Sequence, residues 1–207
     1  MKRVLILLAA VLLAACTSMS KVEGEQVVGE RLVVSVPGAW NRVVDRSEQP
    51  PYESWTQEGI PLDHLRLWGA VRPGQPLLTK WATYSRAVDA KDARVPTFRT
   101  GLTPEKLVRL FEEVYAASGT VNVTKVEPTL FAGQKGVRLE FTLARRSDDL
   151  DLRGVAWIAV RPDPIWGEEL YAASFVAPKL SFYDRLLPMA EAVVKSARVR
   201  EAAASRT

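Results

Sequence analysis

Histidine and cysteine, two side chains that often carry catalysis or bind metals, occur once each, as His64 and Cys16. His64 follows Asp63, and a His–Asp pair can serve a hydrolase when a nucleophile meets it across the fold. The sequence has no Gly-x-Ser-x-Gly motif to present such a nucleophile. A single histidine also excludes a zinc site built from several histidines. We therefore expect His64 to lie at a strand end with a solvent or backbone partner.

Acidic residues cluster at two places in the sequence. Asp148, Asp149 and Asp151 could offer carboxylates to Ca²⁺, but they lack the spacing and the glycine of a calcium loop. Glu168 and Glu169 are adjacent in the same way. We interpret both groups as solvated hairpin tips. The sequence therefore predicts no metal site and no cofactor.

Cys16 follows a segment that is typical of secretion. Lys2 and Arg3 precede an apolar run of 12 residues, 4–15, which ends in small side chains. A membrane-spanning helix needs about 20 apolar residues, so this run is too short to span. A basic start, a short apolar run and a small-residue cut site predict a secretory signal peptide over 1–15. Because Cys16 is the only cysteine, no disulfide within the chain is possible.

Leu13, Ala14, Ala15 and Cys16 together resemble the lipobox of bacterial lipoproteins. In that family the cysteine sulfur receives a diacylglycerol and becomes the first mature residue. The resemblance implies an anchor of two or three acyl chains such as palmitate, which is enough for stable membrane attachment. Thr17, in the second mature position, resembles lipoproteins sorted to the outer membrane and facing the periplasm, rather than those kept in the inner membrane. The alternative is an ordinary signal peptide with a chance cysteine.

Length and charge set further limits. The chain has 207 residues, and without the first 15 it keeps 192, enough for one domain with a good core. Lys2 and Arg3 supply two of the formal charges that make up +4, so the mature chain is near +2. This charge is too small to predict nucleic-acid binding. We expect four segments: a signal peptide (1–15), the lipidated cysteine with a tether (16–29), one domain (30–200) and a flexible tail (201–207). A frayed N-terminal strand is the alternative to the tether.

Apolar periodicity predicts a sheet with helices. Thr103 and Pro104 begin, and Gly119 ends, a helix with one apolar stripe. Near the end, Pro188 predicts a turn of helix followed by a second helix over 187–197. β-Branched or alternating runs predict strands at 31–36, 43–44, 53–57, 64–71, 121–127, 137–143, 153–161 and 170–176. Consecutive strands with short turns are antiparallel, so the predicted class is α+β, an antiparallel sheet covered by helices.

Four stretches resemble the PsbP-like family. They are Val-Ser-Val-Pro-Gly-Ala-Trp at 34–40, Leu-Phe-Ala-Gly at 130–133 with Gly-Val-Arg-Leu-Glu-Phe at 136–141, Leu-Tyr-Ala-Ala-Ser-Phe-Val-Ala-Pro at 170–178, and Lys-Ser-Ala-Arg at 195–198. The family includes photosystem II accessory proteins, a nuclear-import factor that binds the GTPase Ran, and bacterial lipoproteins. The resemblance covers about 30–200 and implies an α/β/α sandwich. It implies no function, because the fold hosts unrelated roles, and no metal ligand of the photosynthetic members has a match here.

Trp166 is the strongest candidate for a binding role among the aromatic residues. It lies between Pro164 and Gly167 in a predicted hairpin tip, where a large exposed ring indicates contact with a partner or a bilayer. A ring folded back onto its own sheet is an equally weighted alternative. Four other tryptophans are expected in the core: Trp40, Trp55, Trp68 and Trp157.

Residues 80–100 mix charges and aromatic side chains without a clear period, which predicts a long surface excursion with one helical turn. Its basic residues could contact lipid headgroups. Because Asp89 and Asp92 interrupt them, a plain solvated loop is the favoured interpretation. The candidate binding surface comprises Trp81, Tyr84, Arg86, Arg94 and Trp166.

Three functions remain after the sequence is considered. The first is a non-enzymatic envelope lipoprotein that binds or stabilises a protein assembly. The second is a lipid or small-ligand carrier in the periplasm, with an apolar pocket under the 80–100 excursion. The third and least favoured is a hydrolase that uses His64 or acidic residues. The membrane, through the anchor on Cys16, and an envelope protein are the expected partners, and nucleic acid is not.

Overall fold

A computed structural model describes residues 18–44, 49–80, 82 and 94–201. Within these residues, nine strands form one sheet, accompanied by two helices. The elements are β1 (Ser18–Val28), β2 (Leu32–Val44), β3 (Glu53–Thr56), β4 (His64–Val71), α1 (Pro104–Ala116), β5 (Gly119–Phe131), β6 (Gln134–Arg145), β7 (Leu150–Asp163), β8 (Gly167–Pro178), α2 (Tyr183–Lys195) and β9 (Arg198–Val199).

The strand order is β1-β2-β3-β4-β8-β7-β6-β5, with β9 beside β2, and every pair is antiparallel. The antiparallel sheet with two helices confirms the predicted α+β class.

Strands β7 and β8 run through the centre of the sheet and are buried on both faces. Along β8, Tyr171, Ala173 and Phe175 pack with α2, whereas Leu170, Ala172 and Val176 pack with α1. Successive side chains of a strand point to opposite faces, so the two helices pack on opposite faces of the sheet. A strand buried on both faces is predominantly apolar, which explains why β8 is apolar from residue 170 to 178 except at Ser174. The four tryptophans predicted for the core, Trp40, Trp55, Trp68 and Trp157, are buried.

The predicted tether over 16–29 is wrong from Ser18 onward, because Ser18–Val28 form the edge strand β1. The strand pairs with β2 from Ser18 opposite Val44 to Val28 opposite Leu32. Its buried apolar side chains include Val22 and Val28, and most of its other residues face solvent. An edge strand with one wet face carries a weak apolar pattern, since backbone pairing rather than burial holds it. The folded domain therefore begins at least as early as Ser18, and not at residue 30.

Proline was expected to end two elements that in fact continue. Pro37 and Gly38 lie inside β2, where three residues, 37–39, face the single residue Glu23 of β1. Such a bulge is where a strand tolerates proline. Pro188 lies inside the continuous helix α2. It removes one hydrogen bond after the first turn, but the buried residues on both sides of it, Leu186 and Ala190, hold the helix on the sheet.

The first helix matches its prediction at its start and along its apolar stripe. Its predicted end at Gly119 is wrong, because Ala117 caps the helix and Gly119 begins β5. Thr103 and Pro104 stand at the start of the helix, although the Thr103 side chain makes no capping hydrogen bond. Its buried stripe is the one predicted from the sequence and comprises Leu107, Leu110, Phe111, Val114 and Tyr115.

The predicted surface excursion over 80–100 is partly a core segment. Residues 83–93 and Trp81 lie outside the described part of the chain. On the returning segment, Phe98 is fully buried beside Leu77 and Leu78. The backbone of Phe98 pairs with that of residues 74 and 75 at 2.8 and 3.0 Å. The aromatic side chain at 98 therefore fills the core, and the mixed charges around it hid this role in the sequence.

We predict that Gly154→Ala destabilises the domain. Gly154 of β7 faces Phe141 of β6, whose ring occupies the place of a side chain at 154, so a β-carbon there would overlap the ring. Phe141 also packs on Tyr115 at 4.9 Å between ring centroids and has little room to move. Overpacking of this kind costs roughly 1–3 kcal/mol. Urea denaturation measures the change in the free energy of unfolding.

Gly38→Ala is the matched control for this substitution, because the nearest atom to its added β-carbon is Met189 Cε at 3.9 Å. It should change the free energy of unfolding by less than about 0.5 kcal/mol. Equal effects of the two substitutions would contradict the proposed packing of Phe141 over Gly154.

Candidate functional site

The candidate residues from the sequence fall into two groups. Arg94 and Trp166 lie within the described residues, and both are exposed to solvent. The other candidates lie outside the described residues: Leu13, Ala14, Ala15, Cys16, Trp81, Tyr84 and Arg86.

Trp166 lies in the turn between β7 and β8, residues 163–167, which we call the β7–β8 tip. Asp163 Oδ1 accepts hydrogen bonds from the backbone N–H groups of Ile165 and Trp166, each at 3.0 Å. Gly167 then takes a positive φ of 77°, which glycine adopts without strain. The pKa of Asp163 lies below its ordinary value, chiefly because the N–H of Trp166 donates to its carboxylate. The N–H of Ile165 and the Arg31 guanidinium lower this pKa further, whereas burial has the opposite effect. The tip is thus held in one shape by an ionised aspartate.

The apolar side chains of the β7–β8 tip face solvent. Ile165 is 78% exposed and Trp166 is 47% exposed. The guanidinium of Arg72 lies 4.7 Å from the centre of the Trp166 ring and supports one side of it. The Trp166 ring is therefore neither free in solvent nor folded into the core. A supported aromatic ring beside an exposed isoleucine is typical of a contact surface.

Arg31 ties the turn between β1 and β2 to the base of this tip. Its Nη1 donates to Asp163 Oδ2 at 3.0 Å and to Glu169 Oε2 at 2.8 Å, and the Tyr171 hydroxyl donates to the same Glu169 oxygen at 2.7 Å. We call these four residues the Arg31 cluster. Glu169 is only 2% exposed, so its expected place in a solvated tip is wrong. Burial, together with the bond to Glu169, raises the pKa of the Tyr171 hydroxyl.

The C-terminal end of the 80–100 excursion lies beside the β7–β8 tip. The Gly101 N–H donates to Glu168 Oε2 at 2.8 Å, which joins the end of the excursion to the first residues of β8. A groove of about 720 Å³ runs along the other side of the tip. Its four arginines are balanced by four carboxylates: Arg31, Arg72, Arg161 and Arg200 with Glu30, Asp163, Glu169 and Glu201. The surroundings of the tip are therefore polar but close to neutral.

A second concave site lies at the opposite end of β7, beside the turn between β6 and β7. This cavity of about 570 Å³, which we call the Arg66 cavity, is bounded by the loop before β4, the end of α1, and the β6–β7 turn. Arg66 enters it from β4 and is 8% exposed. Its guanidinium lies 4.8 Å from the Tyr52 ring centre and 5.8 Å from that of Tyr115. None of the described residues of the excursion lines this cavity.

The buried Tyr115 forms the inner wall of the Arg66 cavity. Its hydroxyl shares a hydrogen bond of 2.6 Å with the hydroxyl of Ser174. Burial raises the pKa of the Tyr115 hydroxyl, and the nearby positive charge of Arg66 opposes this shift. The tyrosine therefore stays neutral near neutral pH. The His64 ring stacks on that of Tyr115 at 6.1 Å.

Asp63 does not orient His64 in the way that a hydrolase requires. Its carboxylate accepts hydrogen bonds from the Thr56 hydroxyl at 2.8 Å and from the backbone N–H groups of Gln57 and Glu58 at 2.9 and 2.7 Å. These bonds close the turn between β3 and β4, and Asp63 is fully buried there. The carboxylate therefore has a structural role. The predicted place of His64, at the first residue of strand β4, is confirmed.

Asp148, one of the three aspartates considered for calcium, is engaged by an arginine. Asp148 pairs with both Nε and Nη2 of Arg145 at 2.8 and 2.6 Å. This hydrogen bonding and the charge of Arg145 lower the pKa of Asp148. In the described part of the chain, no group of three or more histidine, cysteine, aspartate or glutamate side chains is placed to hold a metal ion.

Two solved structures are similar to this one. The solution structure of cyanobacterial PsbP (CyanoP) from Synechocystis sp. PCC 6803 matches with a TM-score of 0.52 and 12% identity, covering 90% of this chain and 95% of that chain. The crystal structure of LpqN, involved in cell envelope biogenesis of Mycobacterium tuberculosis, matches with a TM-score of 0.49 and 11% identity, covering 93% and 96%. No protein-family model and no curated protein matches the chain.

The similarity to CyanoP shows that the chain has the PsbP-like fold, which confirms the fold predicted from the four sequence stretches. At this identity the likeness concerns the fold alone. None of the helices within residues 18–44, 49–80, 82 and 94–201 is long and apolar enough to cross a bilayer.

We predict that Arg31→Met lowers the free energy of unfolding by roughly 2–4 kcal/mol, because it leaves the buried Glu169 carboxylate without its cation. The double variant Arg31→Met with Glu169→Gln should recover part of this loss, since the uncompensated charge is gone. Urea denaturation of each variant measures the free energies.

Arg198→Met is the control, because its ion pair with Glu25 is more than half exposed on both sides and such pairs contribute less than about 1 kcal/mol. A loss in Arg31→Met no larger than in this control would show that the Arg31 cluster does not hold the fold.

Proposed function

We propose that this protein is a non-enzymatic lipoprotein of the bacterial envelope whose domain binds and stabilises a protein assembly. The anchor is supported by the sequence from Leu13 to Cys16, and Thr17 favours the outer membrane, with the domain facing the periplasm. The observation that carries the binding role is the rigid, solvent-exposed apolar pair Ile165 and Trp166 at the β7–β8 tip.

The start of β1 limits where the partner can lie. Only Thr17 stands between Cys16 and Ser18, the first residue of β1. One residue spans at most about 3.6 Å, so a lipid on Cys16 would hold the domain directly at the membrane surface. The assembly that it meets would then lie in the membrane or close to it. A long flexible tether, by contrast, would have allowed partners far from the bilayer.

The β7–β8 tip has the anatomy of a small protein interface. An apolar centre, Ile165 and Trp166, is flanked on one side by the balanced charges of the adjoining groove, and protein interfaces typically combine an apolar centre with a polar rim. The two hydrogen bonds that Asp163 accepts from the backbone fix the tip before any partner binds. A surface that is already ordered loses less conformational entropy on binding. The returning end of the excursion, at Gly101, extends the same surface.

The second candidate function, a lipid or small-ligand carrier, is supported by the Arg66 cavity. Its volume of about 570 Å³ falls within the range of roughly 300–1,000 Å³ that is usual for small-ligand sites. The pocket was expected under the 80–100 excursion, whereas this cavity lies at the other end of β7. The two candidate functions therefore use separate parts of the domain and can be tested independently.

We predict that a photoreactive benzoylphenylalanine at position 166 of the full-length protein forms a discrete adduct with a protein in intact cells, seen as one larger band on immunoblots. The same probe at position 180 is the control, because Leu180 is 93% exposed but lies away from the tip. The adduct at 166 should weaken when Cys16→Ala removes the anchor. A lipid adduct alone, no adduct, or identical adducts at 166 and 180 would contradict the proposal.

A further inference from the structure

Arg66 is a buried cation that forms no ion pair within the part of the chain that the structure describes. It is 8% exposed, its Nε–H has no hydrogen-bond acceptor, and none of the ion pairs formed among the described residues includes it. The rings of Tyr52 and Tyr115 lie on its guanidinium at 4.8 and 5.8 Å. Cation–π contacts favour the positive charge, and the Tyr115 hydroxyl oxygen also interacts with the guanidinium, but neither satisfies the Nε–H donor. A buried guanidinium in this state favours the binding of an anion.

The charges around Arg66 add to this preference. Besides Arg66, the cavity is lined by Arg145, Arg146 and a single carboxylate, that of Asp148. The lining therefore carries two positive charges in excess, with His64 counted as neutral. Arg145 is already engaged, since it pairs with Asp148 and donates to the Pro61 carbonyl at 2.7 Å. Arg146 donates to the Ala117 carbonyl at 3.5 Å. Arg66, which makes no ion pair among the described residues, is thus the arginine best placed to pair with a ligand.

Ser118 and Ser147 add hydroxyl groups to the lining, and one part of it is apolar. Leu143 and Leu152 come from β6 and β7, and Ile60 and Pro61 from the loop before β4. These side chains can contact only an apolar part of a ligand. The cavity thus offers one cationic end and one apolar side, a combination that suits an organic anion better than a free inorganic ion.

We propose that the Arg66 cavity binds an organic anion whose carboxylate or phosphate group pairs with Arg66 and whose apolar body lies on Leu143 and Leu152. A guanidinium can bind either group through two parallel hydrogen bonds. A fatty acid and a phosphorylated lipid or metabolite share this chemistry. The inference rests on the second candidate function, small-ligand binding, and is independent of the anchor and of the β7–β8 tip.

The test uses the full chain, purified from membranes in a non-ionic detergent, and isothermal titration calorimetry with protein-free detergent as the blank. The probes are hexanoate, hexyl phosphate, 1-hexanol and inorganic phosphate. At least one of the two organic anions should bind saturably at one site, and the one that binds more tightly identifies the head group. Hexanol and inorganic phosphate should bind at least about tenfold more weakly, a difference of about 1.4 kcal/mol.

Arg66→Gln should lower the affinity for that organic anion by at least about tenfold, because it removes the charge that holds the head group. Arg109→Gln is the matched control, since Arg109 is exposed on α1 outside the cavity, and it should bind like the unchanged protein. The inference is overturned if neither organic anion binds saturably, if hexanol or inorganic phosphate binds equally well, or if Arg66→Gln binds with unchanged affinity.

A melting measurement without ligand keeps the inference testable if Arg66→Gln binds poorly for another reason. Replacing an unpaired buried charge with an apolar side chain is often neutral or stabilising, so Arg66→Met should melt at or above the temperature of the unchanged protein. A large fall would show that Arg66 is needed for folding and would overturn the inference. An uncharged ligand that native mass spectrometry finds in the cavity would do the same, while leaving the ligand-carrier function intact.

Discussion

Burial of both faces of the central strands is the constraint on which the rest of this structure depends. With α1 on one face and α2 on the other, β8 has no wet side along most of its length, and its residues 169–178 are all buried. Along the central strands β7 and β8, polar groups that can reach other molecules therefore lie near the strand ends. The β7–β8 tip with its groove lies at one end of β7, and the Arg66 cavity lies at the other.

The same constraint explains which elements the sequence could predict. The apolar stripe of α1 and the alternation in β6 directly reflect which side chains are buried, and both were predicted from the residues. Strand β1 was expected only as the alternative to a tether, because an edge strand is held by backbone pairing, which leaves little trace in side-chain types. Pro188 and Phe98 were misjudged for a related reason. Local rules predict a helix break and a surface loop at these positions, whereas packing against the core decides both.

The candidate sites were predicted only in part. Trp166 was singled out because turn residues flank a large ring, which is a local signal. The roles of Arg31 and Arg66 depend on residues far away in the sequence: Arg31 pairs with Glu169, and Arg66 meets Tyr115 across the sheet. The alternation of β4 placed Arg66 on the same face as Trp68, and a charged residue on a face that buries a tryptophan was the available signal. Nothing in the sequence around Asp63 distinguished its structural role from a catalytic one.

A lipid on Cys16 would place the domain, its tip and its cavity at a membrane, so the anchor is the feature to measure first. The most direct measurement is the intact mass of the mature protein purified from membranes, with Cys16→Ala in parallel. We expect a chain that begins at Cys16 and carries a diacylglycerol with two or three acyl chains in total, and a Cys16→Ala chain without lipid that keeps residues 1–15. A mature chain with unmodified Cys16, or one that begins at another residue, would contradict the account.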